Sequence, residues 1–221
     1  MNEEEKSEEK SVGIALCIGM GVFILLTAAI ALMLATPFEA SDIKAFQNPE
    51  SIWNPIYFFV LVIGFTALIL IVLRFGGKRL VYLVMLAAVA VTIYYVMAVL
   101  VPYGPIPLVS TLALTLLLYK YPEWYVLDAT GLIIGGGAAA IFGISLGILP
   151  VLLLMIILAV YDAIAVYKTK HMVSLAESIV DLRIPVLFVL PRKRSFSLLR
   201  GKDQEEGKSE MEEAFFMGLG D

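Results

Sequence analysis

Histidine and cysteine each occur only once in this chain of 221 residues, as His171 and Cys17. One cysteine cannot close an internal disulfide, and one of each cannot build a Cys/His metal cluster. A lone histidine also excludes the paired-histidine HExxH helix of metalloproteases. A serine protease needs a base beside its serine, and His171 stands past the end of an apolar run, close to Lys168 and Lys170. Charge is scarce as well: 16% of residues are charged and the net charge is −4. Phosphate loops, nucleotide-fold signatures and long-period repeats are missing, so no cofactor, metal or nucleic-acid partner is expected. The N-terminal MNEEEKSEEKS lacks the positive start of a cleavable signal peptide. Residues 1–11 therefore read as a solvated acidic tail, and the apolar run behind them as an anchor that is kept.

What the chain has in excess is apolar side chains, 60% of the total, with a mean hydropathy of +0.91. The solvent to reason about is lipid. About 20 apolar residues in helix cross a bilayer core, and residues 12–166 divide into six such runs: Val12–Ala35, Ile56–Leu73, Leu80–Val101, Ile106–Tyr119, Tyr125–Gly147 and Leu149–Val166. Thr36-Pro37 is expected to end the first. A polar stretch fills residues 167–213, and 214–221 (AFFMGLGD) looks like the start of a seventh span. Without the alternation of barrel strands, only helices satisfy their backbone in lipid. The expected fold class is all-α, a polytopic membrane helical bundle. In the fifth run Gly131, Gly135, Ala139, Gly143 and Gly147 recur every fourth residue and predict a smooth packing stripe.

Lysine and arginine orient the bundle. With the N-terminus inside, all sixteen except Lys44 fall on the inner side. The N-terminus and the 167–213 loop are accordingly expected in the cytoplasm, with the protein a multi-pass component of the cell membrane.

Ionisable residues inside spans are costly and default to functional candidates. Asp128 lies four residues after Trp124, where interfacial solvation or capping of a helix start explains it. Asp162 has no charged neighbour until Lys168, and Asp221 none back to Glu213. At the helical rise Asp162 sits roughly 9 Å, and Asp221 roughly 12 Å, from the same cytoplasmic boundary. On antiparallel sixth and seventh helices the two carboxyls arrive at similar depth. Two carboxylates a few ångströms apart share one proton and titrate as a unit. The ionised member can take a proton from an attacking water while the protonated member donates to an amide carbonyl or leaving nitrogen. Gly218 and Gly220 would allow close approach beside Asp221. The residues alone leave two alternatives open: an ion or proton channel or transporter using membrane carboxylates, and an inactive scaffold that binds membrane helices.

Tyr161-Asp162 in one span and Gly218-Leu219-Gly220-Asp221 in the next resemble the YD and GxGD motifs of presenilins and signal peptide peptidases. The text around them (PEWY at 122–125, IFGISL at 141–146, AVYDAIAVYKTKHM at 159–172) is similar to archaeal presenilin homologues, and the resemblance runs from the second span onward. It implies an intramembrane aspartyl endopeptidase that cuts single-span helical substrates in the bilayer with water and no metal. Asp162 and Asp221 would be catalytic, with Tyr161, Gly218, Leu219 and Gly220 supporting them. It also implies nine spans, a cytosolic N-terminus and a Pro-Ala-Leu motif at the ninth. No such motif is present, so the chain reads as ending within the seventh span, and the 221 residues alone are not expected to be active.

Between the aspartates, 173–183 could form an amphipathic interfacial helix. Val186, Leu187, Phe188, Val189 and Leu190, bracketed by Pro185 and Pro191, are rich in strand formers and too short to span. They form either a lipid-surface loop anchored by Arg192-Lys193-Arg194 or an edge strand that pairs with an unwound substrate, the latter resembling a family feature. Residues 195–213 read as a polar loop. Substrates, partners and oligomeric state have no signature in the sequence.

Overall fold

The computed structural model describes residues 3–75, 77–164, 187–191 and 214–218, the last segment as backbone. Six helices and two strands lie among these residues: α1 Glu3–Ala40, α2 Trp53–Arg74, α3 Lys78–Leu100, α4 Ile106–Lys120, α5 Trp124–Ser145, α6 Ile148–Ile164, β1 Leu187–Pro191 and β2 Ala214–Gly218. Four helices carry apolar windows long enough to cross a membrane, in α1, α2, α3 and α5. At 15 residues α4 reaches only about 22 Å, as its apolar run already suggested.

The first helix departs from expectation at both ends. Its 38 residues extend about 57 Å, well beyond a bilayer core of about 30 Å. The acidic tail continues the helix from Glu3, since Glu and Lys are good helix formers and acidic residues suit the positive end of the helix dipole. Pro37 does not end it either. Losing one backbone donor there is offset by burying Phe38, which is 0% exposed against Leu34, Val96 and Ala140. Ser41 N–H donates to the Pro37 carbonyl at 3.1 Å and closes the last turn.

Packing centres on α5, which touches α1, α3, α4 and β1. One apolar cluster joins Val89 and Ile93 of α3, Leu118 of α4, Leu127 and Ile134 of α5 and Val189 of β1. A second joins α1, α3 and α5 around Phe38 and Val96. By contrast α6 packs on α2. Outward faces are apolar, with Leu32 and Met33 77% and 78% exposed. That surface fits lipid rather than water.

The every-fourth-residue stripe is only partly a contact face: Gly131 is buried and a Cβ at Gly147 would overlap Glu50, but Ala139 and Gly143 are exposed, and nothing lies within 4 Å of a Cβ placed at Gly143. Close approaches of neighbouring helices occur at Gly136, where a Cβ would overlap Ile30 of α1, and at Gly137, where it would overlap Val96 of α3. A spacing of four drifts about 40° per step round a helix of 3.6 residues per turn. Over four steps the stripe winds off the crevice between α1 and α3.

The eight residues expected to open a seventh helix begin instead as strand. β2 pairs antiparallel with β1 in the register Leu187↔Gly218, Val189↔Phe216 and Pro191↔Ala214. The 12 Å depth assigned to Asp221 assumed helix through this segment, and a strand rises about 3.3 Å per residue instead of 1.5 Å. The all-α class holds for the bundle, with this two-stranded ribbon as its addition.

Candidate functional site

At the end of α6, Tyr161 is half-buried and its ring meets Phe59 of α2 edge-on, with centroids 5.7 Å apart and planes at 84°. Such a contact contributes about 0.5–1.5 kcal/mol beyond area burial. It holds α6 against α2 one residue before Asp162. Asp162 follows about 100° round the helix and is exposed. The tyrosine of the YD pair is thus a packing residue, and the aspartate is left accessible.

β1 is neither a surface loop nor a free edge. Phe188 is 3% and Val189 1% exposed. Alternate side chains of a strand point to opposite faces, and each face here has its own helices. Phe188 stacks on Phe23 of α1 at 4.7 Å with planes 23° apart, and Leu190 lies against Gly19 of α1, 3.3 Å from where a Cβ would stand. Val189 turns the other way, into the cluster of α3, α4 and α5. Along one edge β1 pairs with β2. Along the other, the Val189 N–H donates to Asp128 Oδ1 of α5 at 2.7 Å.

That last bond reveals the pairing phase of the sheet. In an antiparallel ladder each residue sends its N–H and C=O to one side, and opposed pairs alternate between bonded and non-bonded. Because Val189 faces α5, the Val189↔Phe216 pair is a non-bonded one. Phe188↔Met217 and Leu190↔Phe215 carry the ladder. The backbone groups of Ala214, Phe216 and Gly218 consequently face away from β1, along the outer edge of β2.

Asp128 is 5% exposed and Oδ2 is buried without a hydrogen-bond partner among the described residues. Neither interfacial solvation nor a helix cap, the two uses its sequence position suggested, describes it. The only signal in the sequence was an acid one turn inside an apolar helix; its partner, 61 residues on, had none.

Of the motif residues, Tyr161 and Asp162 lie on α6 and Gly218 ends β2 opposite Leu187. Leu219, Gly220 and Asp221 lie outside the described residues, as do Val186 and the interfacial helix expected at 173–183. The pairing of Asp162 with Asp221 falls outside them too.

A family model described as signal-peptide peptidase, presenilin aspartyl protease matches residues 20–221. Two solved structures of a presenilin family intramembrane aspartate protease, in different space groups, are each 40% identical to the chain with a TM-score of 0.60. Each alignment covers 76% of this chain, and 74% and 73% of the two solved chains. No curated protein matches.

Proposed function

Because the chain belongs to the signal-peptide peptidase and presenilin family of intramembrane aspartyl proteases, we propose that Asp162 and Asp221 are its catalytic pair. The membrane protein so formed hydrolyses peptide bonds of single-span helical substrates inside the bilayer, with its N-terminus in the cytoplasm. One proton is shared between the two carboxyls. The ionised member accepts a proton from water as its oxygen attacks the scissile carbonyl carbon. The protonated member donates first to the carbonyl oxygen and then, as the C–N bond breaks, the proton passes to the leaving nitrogen. No cofactor or metal enters the scheme.

The observation that carries this reading is where the outer edge of β2 leads. The outer edge of β2 ends at Gly218 and runs directly into Leu219-Gly220-Asp221 in the sequence. An intramembrane protease must unwind a helix before it can reach an amide, and an unwound segment needs partners for its freed N–H and C=O groups. The backbone groups of Ala214, Phe216 and Gly218 supply them by strand addition. The sequence offered residues 186–190 for that pairing. With the Val189 N–H turned into α5, the role passes to β2, and β1 becomes its support.

The test is cleavage of a labelled single-span peptide by the enzyme in proteoliposomes, together with any natural continuation beyond Asp221. Asp162→Asn or Asp221→Asn should each lower kcat by about 100-fold or more, the usual worth of a positioned acid or base. Cleavage at the wild-type rate in either variant would overturn the pairing. Ion flux that depends on Asp162 without any cleaved product would favour a channel instead.

A further inference from the structure

A carboxyl group one turn inside an apolar helix is an expensive way to satisfy a single backbone N–H. Asp128 is 5% exposed, its Oδ1 takes the Val189 N–H at 2.7 Å, and its Oδ2 has no partner among the described residues. Packing alone already secures β1: Phe188 stacks on Phe23, Leu190 covers Gly19, and Val189 enters the α3–α4–α5 cluster. Those contacts are apolar and resist a one-residue slip of β1, but a shift of two residues would keep each side chain on its own face, so they leave more than one height along α5. The hydrogen bond is directional and does choose one.

We propose that Asp128 is a positioning residue for proteolysis, which fixes the height of the β1–β2 pair and closes the inner edge of β1 so that substrate is left the outer edge of β2. Two consequences follow from strand geometry. A single-residue slip of β1 would send every side chain to the opposite face, turning Phe188 and Leu190 off α1. And because β2 is in register with β1 and leads into Asp221, any displacement of β1 moves the substrate edge relative to the catalytic carboxyl. Asp128 is enclosed at 5% exposure. It acts through Val189 and then through the Val189↔Phe216 pair.

The inference rests on the proteolytic reading, and the experiment separates the two. In proteoliposomes, the products of a single-span peptide are mapped by mass spectrometry for wild type, Asp128→Leu and Asp128→Asn. Docking of β1 is followed independently by cross-linking Gly19→Cys to Leu190→Cys with a short bis-thiol reagent in a Cys17→Ala background. Leu removes the acceptor: kcat/KM should fall about tenfold, the worth of a hydrogen bond to a charged group. The cut should also spread to neighbouring bonds, and cross-linking should drop several-fold. Asn keeps an acceptor oxygen and should recover the wild-type cut position, though not the full rate. A purely structural Asp128 would lower thermal stability while the surviving enzyme still cut at the same bond; that result overturns the proposal. So does an Asn variant that spreads its cuts as Leu does, which would mean that charge rather than an acceptor is needed. If Asp128→Leu fails to fold, 2-hydroxyisovaleric acid incorporated at position 189 turns the amide into an ester and removes the donor while leaving Asp128 in place. It should reproduce the spread, and an unchanged product pattern there also overturns the idea. Should the unmutated enzyme cut nothing, the proteolytic reading falls and the positioning role with it, while the cross-link still scores the Asp128–Val189 clamp.

Discussion

Helices α5 and α6 both carry a single aspartate, and they are packed in opposite ways. Ten residues of α5 are buried and only two of α6, Pro150 and Leu154. α5 is held by α1, α3, α4 and β1, whereas α6 leans on α2. Asp128 shares the fate of its helix: enclosed, with one oxygen on a backbone N–H. Asp162 shares the fate of its own, exposed beside a tyrosine that does the packing. A carboxyl that must exchange protons with water and substrate needs access, and a carboxyl that must hold a strand still needs enclosure. On the proposed roles, similar residues in similar apolar runs go to these two uses according to how their helices pack among the described residues.

The strongest way to break that contrast is at Asp162. Asp162→Asn should cost about 100-fold or more in kcat while leaving thermal unfolding in detergent within about 0.5 kcal/mol of wild type, as surface substitutions do. A large loss of stability would place Asp162 in a packed role and erase the distinction. Phe188→Ala tests the enclosed side. Removing a ring that is 3% exposed should cost about 3 kcal/mol of unfolding free energy, because Phe23 cannot collapse into the space. Tyr161→Phe keeps the ring on Phe59 and should leave activity within a few-fold, whereas Tyr161→Ala should lower kcat/KM by about tenfold through loss of an aromatic contact and its buried area, with a smaller fall in melting temperature than Phe188→Ala. Equal falls in the two would mean that α6 is as firmly packed as β1. Gly136→Ala puts a methyl group into Ile30 and should cost about 1–3 kcal/mol. Gly143→Ala, with open space around it, should be neutral or slightly stabilising by thermal unfolding. A modest loss is expected where the 41–52 connection meets the end of α5. Ser145→Ala removes the acceptor of the Ala45 N–H at 2.7 Å and should cost about 1 kcal/mol.

Much of this bundle was legible before any coordinates. The second to sixth apolar runs fall within a few residues of α2 to α6, and the first lies inside the longer α1, because a lipid-exposed helix must be apolar nearly all round and polar breaks are easy to see. What misled was local punctuation read without its neighbours. Pro37 should stop a helix, and the burial of Phe38 carries α1 past it. The small-residue stripe promised a contact face and is one only in part: Gly131 is buried and Gly143 stands open, while α1 and α3 press on Gly136 and Gly137 beside it. Ala214–Gly218 has the composition of a membrane helix and begins as a strand, because β1 offers it a ladder that no local pattern records.

The amino-acid sequence by itself determined the solvent, the helix count among the described residues, the family through YD and GxGD, and the pair of carboxyls to suspect. Those depend on composition and short-range order, which survive without knowledge of contacts. Only the tertiary structure decided that Asp128 faces Val189, that β1 is covered on both faces, and that it pairs with β2 along one edge. Each of these is a contact between residues dozens of positions apart. Hydropathy and spacing carry no information about which buried N–H a carboxyl will meet.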